Sequence, residues 1–269
     1  MIRHLLPSLI AALALSLPSF AAASPSEMAQ IEVLPGWEQA DGNRVVGLHI
    51  KLQPGWKTYW RAPGDAGIPP LIDLSGSSNL HAMAPAWPTP HVFSQNGMRS
   101  VGYLDEVILP VILTPRDAGA PIALSGQMQI GICKDVCVPA ELSFDAALPA
   151  GPGFADPLLS AALADQPVDG RQAGLGRIEC TVSVTPDGLA LNAEFLLPST
   201  GGDEYAVVET RDPEVWIAEA ETRRDGNILR VRTEMIHVEG GAFALDRSGI
   251  RITVLGSRKA VDIQGCPAP

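Results

Sequence analysis

Basic residues are scarce in this chain: 19 Lys and Arg stand against 30 Asp and Glu, a net charge of −11. That balance argues against nucleic acid or an anionic membrane surface as partner, since both select basic faces. Catalytic signatures are missing as well. The sequence has no G-x-S-x-G, no H-E-x-x-H and no P-loop, so hydrolytic and nucleotide chemistry find no support. His49, His81, His91 and His237 show no ligand spacing, and neither a metal nor another cofactor is expected. The acidic pairs Asp105-Glu106 and Asp203-Glu204 read as solvated strand ends. From residue 30 to 144 no amphipathic helical pattern of useful length occurs, and beyond residue 20 no run is apolar enough to span a bilayer.

The chain opens on Met1-Ile2-Arg3-His4, continues with an apolar run over 5–20, and then reads Ala21-Ala22-Ala23. A basic start, apolar middle and small-residue exit predict a secretory signal peptide over 1–23. Pro7 and Pro18 interrupt the run and no basic flank comes after it, so a stable membrane anchor is not expected. Losing residues 1–23 removes Arg3 and no acid, which leaves the exported part more acidic still. Its length suffices for two ordinary domains.

Only four cysteines are present, Cys133, Cys137, Cys180 and Cys266, all in the exported part. Disulfides persist outside the cytosol, and four cysteines allow three pairings. Around the first two, Met128, Ile130 and Ile132 alternate with Gln127, Gln129 and Gly131; beyond them Val138, Ala140, Leu142 and Phe144 also alternate. Two period-2 runs around a short polar segment predict an antiparallel hairpin with both thiols at its exposed tip. That proximity favours Cys133 with Cys137 and leaves Cys180 with Cys266.

The remaining pattern predicts an all-β chain of two immunoglobulin-like sandwiches. Residues 24–148 read as short strands separated by Gly and Pro, with residues 85–99 as an irregular excursion holding three prolines. Residues 149–176 have linker composition and one short helix, with Asp156 as cap and Pro157 in its first turn. Residues 177–269 form the second set of strands, with hairpin signals at Pro186-Asp187-Gly188 and Asp225-Gly226.

Loop-closure entropy separates the two cysteine pairs. It gives about 2 kcal/mol for the roughly 5-residue ring of Cys133–Cys137 and about 4.6 kcal/mol for the roughly 87-residue ring of Cys180–Cys266. The long bridge reads as a structural staple of the second domain. The short one reads either as a local staple or as a labile, reactive bond. Lys134 between the thiols favours a thiolate and Asp135 opposes it. Trp56, Tyr59, Trp60 and Trp87 serve either as core aromatics or as a wall around the tip. Phe93, within the excursion, either caps the cysteine pair as a lid or fills the end of the sandwich.

As an ordered set, Pro54-Gly55-Trp56-Lys57-Thr58-Tyr59-Trp60, Trp87-Pro88-Thr89-Pro90, Gly102-Tyr103, Leu109-Pro110-Val111 and Gly131-Ile132-Cys133…Cys137-Val138-Pro139 resemble the periplasmic N-terminal domain of DsbD-type thiol:disulfide interchange proteins. The likeness is closer to the ScsB branch, the suppressor-of-copper-sensitivity relatives. It covers residues 30–148, with the second domain recognisable only as architecture. The resemblance implies that Cys133 and Cys137 are the redox pair, with Cys137 attacking first. It also places Tyr59 as an aromatic near the pair and Phe93 in an aromatic cap loop. It implies a membrane electron donor of the DsbD/CcdA type and periplasmic thioredoxin-like or disulfide isomerase proteins as acceptors. Two departures stand out: the cysteines are closer together than in the DsbD type, and Pro90-His91 replace the acids before the cap aromatic. No membrane domain or thioredoxin domain is recognisable, so the expected role is one carrier in a relay with a separate donor. The rival expectation is a non-catalytic binding module, for partner recognition or copper sequestration, with only structural disulfides.

Overall fold

The computed structural model describes residues 28–64, 67–95 and 97–268; the expected signal peptide lies outside them. The regular structure of the described residues is almost entirely strand, arranged as two pairs of facing sheets with two hydrophobic cores.

In the first domain one sheet is built from β1 (Ala29–Glu38), β2 (Arg44–Leu52), β5 (Leu80–Pro85) and β8 (Glu106–Pro115), in the order β1-β2-β8-β5. The facing sheet holds β3 (Lys57–Tyr59), β6 (His91–Gln95), β7 (Met98–Leu104), β9 (Ile122–Cys133) and β10 (Cys137–Leu148). Its order is β10-β9-β3-β7-β6, with β4 (Leu71–Asp73) pairing β9. The alternation seen in the sequence sets the register of the hairpin β9–β10. Met128 faces Leu142, Ile130 faces Ala140 and Ile132 faces Val138. The first five of these six are at most 6% exposed, so the even-numbered positions of β9 and β10 supply the core. One-residue slippage would turn that whole set to solvent, which is why the register is firm.

The excursion over residues 85–99 is more regular than its prolines suggest. Its prolines, Pro85, Pro88 and Pro90, all precede His91, where β6 begins, and β6 pairs β7 from His91 opposite Gly102 to Gln95 opposite Met98. An edge strand tolerates neighbouring prolines because one of its sides needs no ladder bonds.

The short helix α1 (Pro157–Ala164) is capped as the sequence predicts. The Asp156 carboxylate accepts from the backbone N–H groups of Leu158 and Leu159 at 2.8 and 3.0 Å. Leu159 is fully buried; it seats against Gly47, where a side chain would meet the Leu159 methyl. The segment between the sandwiches is therefore docked. Beyond the helix, β11 (Val168–Asp169) adds in parallel to β19 (Ala260–Gln264) of the second domain.

The other strands of the second domain are β12 (Ile178–Val184), β13 (Leu189–Leu196), β14 (Tyr205–Glu209), β15 (Val215–Ile217), β16 (Glu221–Asp225), β17 (Ile228–His237) and β18 (Arg251–Leu255). They form one sheet of order β11-β19-β18-β14 and one of order β12-β13-β17-β15, to which β16 adds through β17. The Cys180–Cys266 disulfide joins β12 of one sheet to the segment after β19 of the other, with Cα atoms 5.5 Å apart. Both cysteines are buried. Of the acidic pairs, Asp203-Glu204 departs from the solvated expectation: the Glu204 side chain is 3% exposed and paired with Arg224. Tyr205, Val207, Leu255 and Ala260 pack into the first domain's core, so the two sandwiches share apolar contact.

Candidate functional site

Strand parity places the cysteines. If the even positions of β9 and β10 face the core, Cys133 and Cys137 fall on the opposite face of the sheet, with Gly131 and Pro139. Cys133 and Cys137 stand directly opposite each other in register, Cα atoms 4.2 Å apart, and are joined as a disulfide. Lys134, Asp135 and Val136 form the exposed turn. The two sulfurs are not equivalent. Cys133 is 2% exposed although it lies on the outer face, whereas Cys137 is exposed.

The group that covers Cys133 is Tyr59. Strand β3 runs beside β9 with Lys57 opposite Cys133 and Thr58 opposite Ile132, which carries Tyr59 alongside Gly131. A Cβ at Gly131 would come within 2.8–2.9 Å of the Tyr59 ring and of Ile68. The glycine lets the ring lie flat across the strand, and the Thr58 hydroxyl bonds the Gly131 carbonyl at 2.9 Å. The Tyr59 hydroxyl thereby reaches both sulfurs. It donates to Cys133 Sγ at 2.9 Å and lies 3.1 Å from Cys137 Sγ. Burial pushes the Tyr59 phenol up from its ordinary pKa, so the hydroxyl keeps its proton at neutral pH and serves as a donor.

Phe93 lies on β6, on the same sheet face, half-buried. Lys57 links it to the site: its ammonium sits 5.4 Å from the Phe93 ring centroid and 3.4 Å from Ser100 Oγ. Burial lowers the Lys57 pKa. His91 meets the Phe93 ring edge-on at 6.3 Å. The structure thus brings Tyr59 onto the sulfurs and places Phe93 on the Lys57 side chain beside them. Trp60 is a core residue, fully buried, and Trp56 and Trp87 pack partly buried against the same core.

Asp105 takes a left-handed backbone conformation, φ 64°, and accepts from the Gly55 N–H at 2.5 Å. This ties the β7–β8 corner to the turn before β3, against which the Lys134 side chain lies. A groove of about 270 Å³ opens along the β9–β10 hairpin, lined by apolar residues such as Ile68, Leu71 and Pro139 and by the polar Gln129 and Glu141; neither cysteine lines it. Leu71, opposite Gln129, and Val136, in the hairpin turn, are 62% and 68% exposed. Cys180 and Cys266 take no part in the site.

Sequence reasoning missed Gly131 as the residue that admits Tyr59. A glycine inside an otherwise alternating strand was the available signal, since it marks close approach of another group. It also missed the ion pairs of Arg61 with Glu209 and of Arg99 with Glu219, which link residues too distant in sequence for any local pattern.

Among solved structures, the chain is similar to the N-terminal periplasmic domain of ScsB from Proteus mirabilis, with a TM-score of 0.69 and 20% sequence identity. The match covers 93% of this chain and 97% of that one. No curated protein matches the sequence. The family model for the N-terminal part of the thiol:disulfide interchange protein DsbD matches residues 26–149, the span that carries β1 to β10 with the Cys133–Cys137 pair and Tyr59. The first sandwich of this chain is thus similar to the DsbD N-terminal domain, a thiol:disulfide interchange module.

Proposed function

We propose that the protein is a periplasmic dithiol/disulfide carrier, which accepts electrons from a separate membrane reductase and passes them to periplasmic thiol proteins through Cys133 and Cys137. The observation that carries the reading is the asymmetry of the bond: one sulfur exposed, the other buried under a phenolic donor.

Reduction of the carrier begins when a donor thiolate attacks the exposed sulfur of Cys137. The Cys133–Cys137 bond breaks, and Cys133 leaves as a thiolate that accepts the Tyr59 O–H. A second donor thiolate then attacks the donor sulfur of the mixed disulfide and releases Cys137. Two electrons have passed to the carrier, and two protons from solvent complete the dithiol. Delivery is the reverse. The Cys137 thiolate attacks an acceptor disulfide, the acceptor's second sulfur leaves and is protonated, and Cys133 displaces the acceptor to re-form the carrier's bond. The lower the leaving thiol's pKa, the faster each of these displacements, which gives the Tyr59 contact a kinetic as well as an equilibrium role. The groove along the β9–β10 hairpin and the exposed Val136 of its turn supply a surface on which either partner docks. Phe93, steadied by Lys57, acts as a lid that limits access of non-partners.

Thiol trapping in the periplasm coupled to mass spectrometry tests the reading. A carrier is partly reduced at steady state, and Cys133→Ser or Cys137→Ser abolishes exchange with the fold intact. A pair that is always oxidised, or a double Ser variant that unfolds, identifies a structural staple and supports the binding-module reading instead. No helix among the described residues is long and apolar enough to cross a membrane.

A further inference from the structure

We propose that the second domain tunes the redox pair, with Arg61 and Glu209 as positioning residues that hold Tyr59 on the sulfurs. The inference rests on the carrier reading above and assigns the second domain a part in it.

Strand β3 is only three residues long and ends at Tyr59, so the residues after it fix where the phenol points. Trp60 is fully buried and its backbone N–H donates to the Val101 carbonyl at 3.0 Å. The next residue, Arg61, stacks its guanidinium on the Trp60 ring, 3.7 Å from the centroid. It then reaches into the other sandwich. Arg61 Nε and Nη2 donate to the two carboxylate oxygens of Glu209 at 3.0 and 2.9 Å, and Nη2 also donates to Thr253 Oγ1 at 3.2 Å. Glu209 ends β14 and Thr253 lies in β18, both in the second domain. The pair is nearly dry, with side chains 13% and 19% exposed. A two-pronged guanidinium–carboxylate bond fixes orientation as well as distance, and its burial makes the loss of either partner costly.

A second contact holds the neighbouring strand. Arg99 of β7 pairs with Glu219, and its guanidinium sits 4.6 Å from the Tyr205 ring centroid. Strand β7 pairs with β3 on one side, Gly102 opposite Tyr59, and carries β6 with Phe93 on the other. Backbone approach at Gly102 is so close that a side chain there would collide with the Thr58 carbonyl. Strand β3, which flanks β9, and strand β7, which flanks β3, are thus both anchored on the second sandwich.

The test uses the full chain equilibrated with glutathione buffers, with the dithiol fraction read by thiol trapping. Glu209→Gln should move the dithiol/disulfide equilibrium about threefold or more toward the disulfide, the direction expected for Tyr59→Phe. The double variant should move no further than Tyr59→Phe alone, because both act through one hydroxyl. Thr253→Val, which removes a single bond to Arg61, should give a smaller shift of the same sign and serves if Glu209→Gln does not fold. A lowered melting temperature with an unchanged equilibrium would overturn the proposal, as would shifts that simply add in the double variant. A wild-type pair that never exchanges with glutathione would instead overturn the carrier reading itself.

Discussion

The hydroxyl of Tyr59 donates a hydrogen bond to the sulfur of Cys133 at 2.9 Å across 74 residues of sequence. In the oxidised protein that bond is a weak one, to a neutral disulfide sulfur. Once Cys133 is a thiolate the same donor meets a full charge, and hydrogen bonds to charged groups are worth about 1.5–3 kcal/mol. The contact therefore stabilises the reduced state more than the oxidised one.

Replacing Tyr59 with Phe removes the donor and keeps the ring over Gly131. The reduced form should lose about tenfold in its equilibrium with glutathione, a fall of about 30 mV in reduction potential. The titration of the buried thiol should move up in parallel, tracked by its thiolate absorbance. An unchanged potential would mean that the hydroxyl only fills space.

Hairpin β9–β10 was readable because its two alternating runs point one way, and nothing in the tertiary structure competes with them. Tyr59 was placed near the pair by family resemblance, whereas its own surroundings in sequence left it as either a core aromatic or part of a wall around the tip. Its position depends on β3, whose three residues carry too little pattern to fix a neighbour. Strand β6 was unreadable for a different reason: Pro88 and Pro90 sit immediately before it, and local composition cannot tell a strand edge from a loop. Glu204 looked like half of a solvated acidic pair because its partner, Arg224, lies 20 residues on. The ion pairs of Arg61 and Arg99 span the two sandwiches, and no periodicity in either one signals them.

The Cys180–Cys266 bridge ties the two sheets of the second domain at its edge, where Arg247 also donates to the Cys180 carbonyl at 3.2 Å. Changing both cysteines to Ala should destabilise that domain by up to about 4.6 kcal/mol on chain entropy. Calorimetry should show its melting temperature fall, while exchange at Cys133–Cys137 continues. Loss of exchange without loss of structure would place this bridge in the redox chemistry.

Glu204 predicts an acid-sensitive step in the second domain. Burial works against its charge, but bonds from Arg224, at 2.7 Å to each oxygen, and from Thr200 hold its pKa below the ordinary carboxylate value. A carboxyl with a lowered folded-state pKa stabilises fully above its unfolded pKa, about 4.3 for Glu. That contribution disappears as the pH falls through the folded value. Glu204→Gln should therefore cost about 2 kcal/mol at pH 7. The gap from wild type should close below about pH 4. A melting-temperature difference that stays constant with pH would show that the carboxylate charge plays no part.

Access to the pair can be probed from two sides, through Phe93 and through Lys57. A carrier in an oxidising compartment must keep its dithiol from small oxidants, yet the exposed Cys137 has no protection from its own turn. Phe93 sits on the same sheet face, with the Lys57 ammonium 5.4 Å from its ring and Lys57 itself opposite Cys133. A cation over an aromatic face contributes about 0.5–1 kcal/mol when exposed and more when dry. That suffices to bias a short edge hairpin without locking it. If Phe93 is a lid, Phe93→Ala should speed oxidation of the reduced protein by a small disulfide, with cooperative unfolding unchanged. Lys57→Met keeps the length of the side chain and removes the charge. It should speed oxidation by a smaller factor, roughly two- to fivefold for a cation–aromatic contact of that strength, and the acceleration should be lost in the Phe93→Ala background. Equal oxidation rates in wild type and Phe93→Ala would leave Phe93 as packing at the sandwich end, and Lys57 as a residue that acts on the thiols by charge alone.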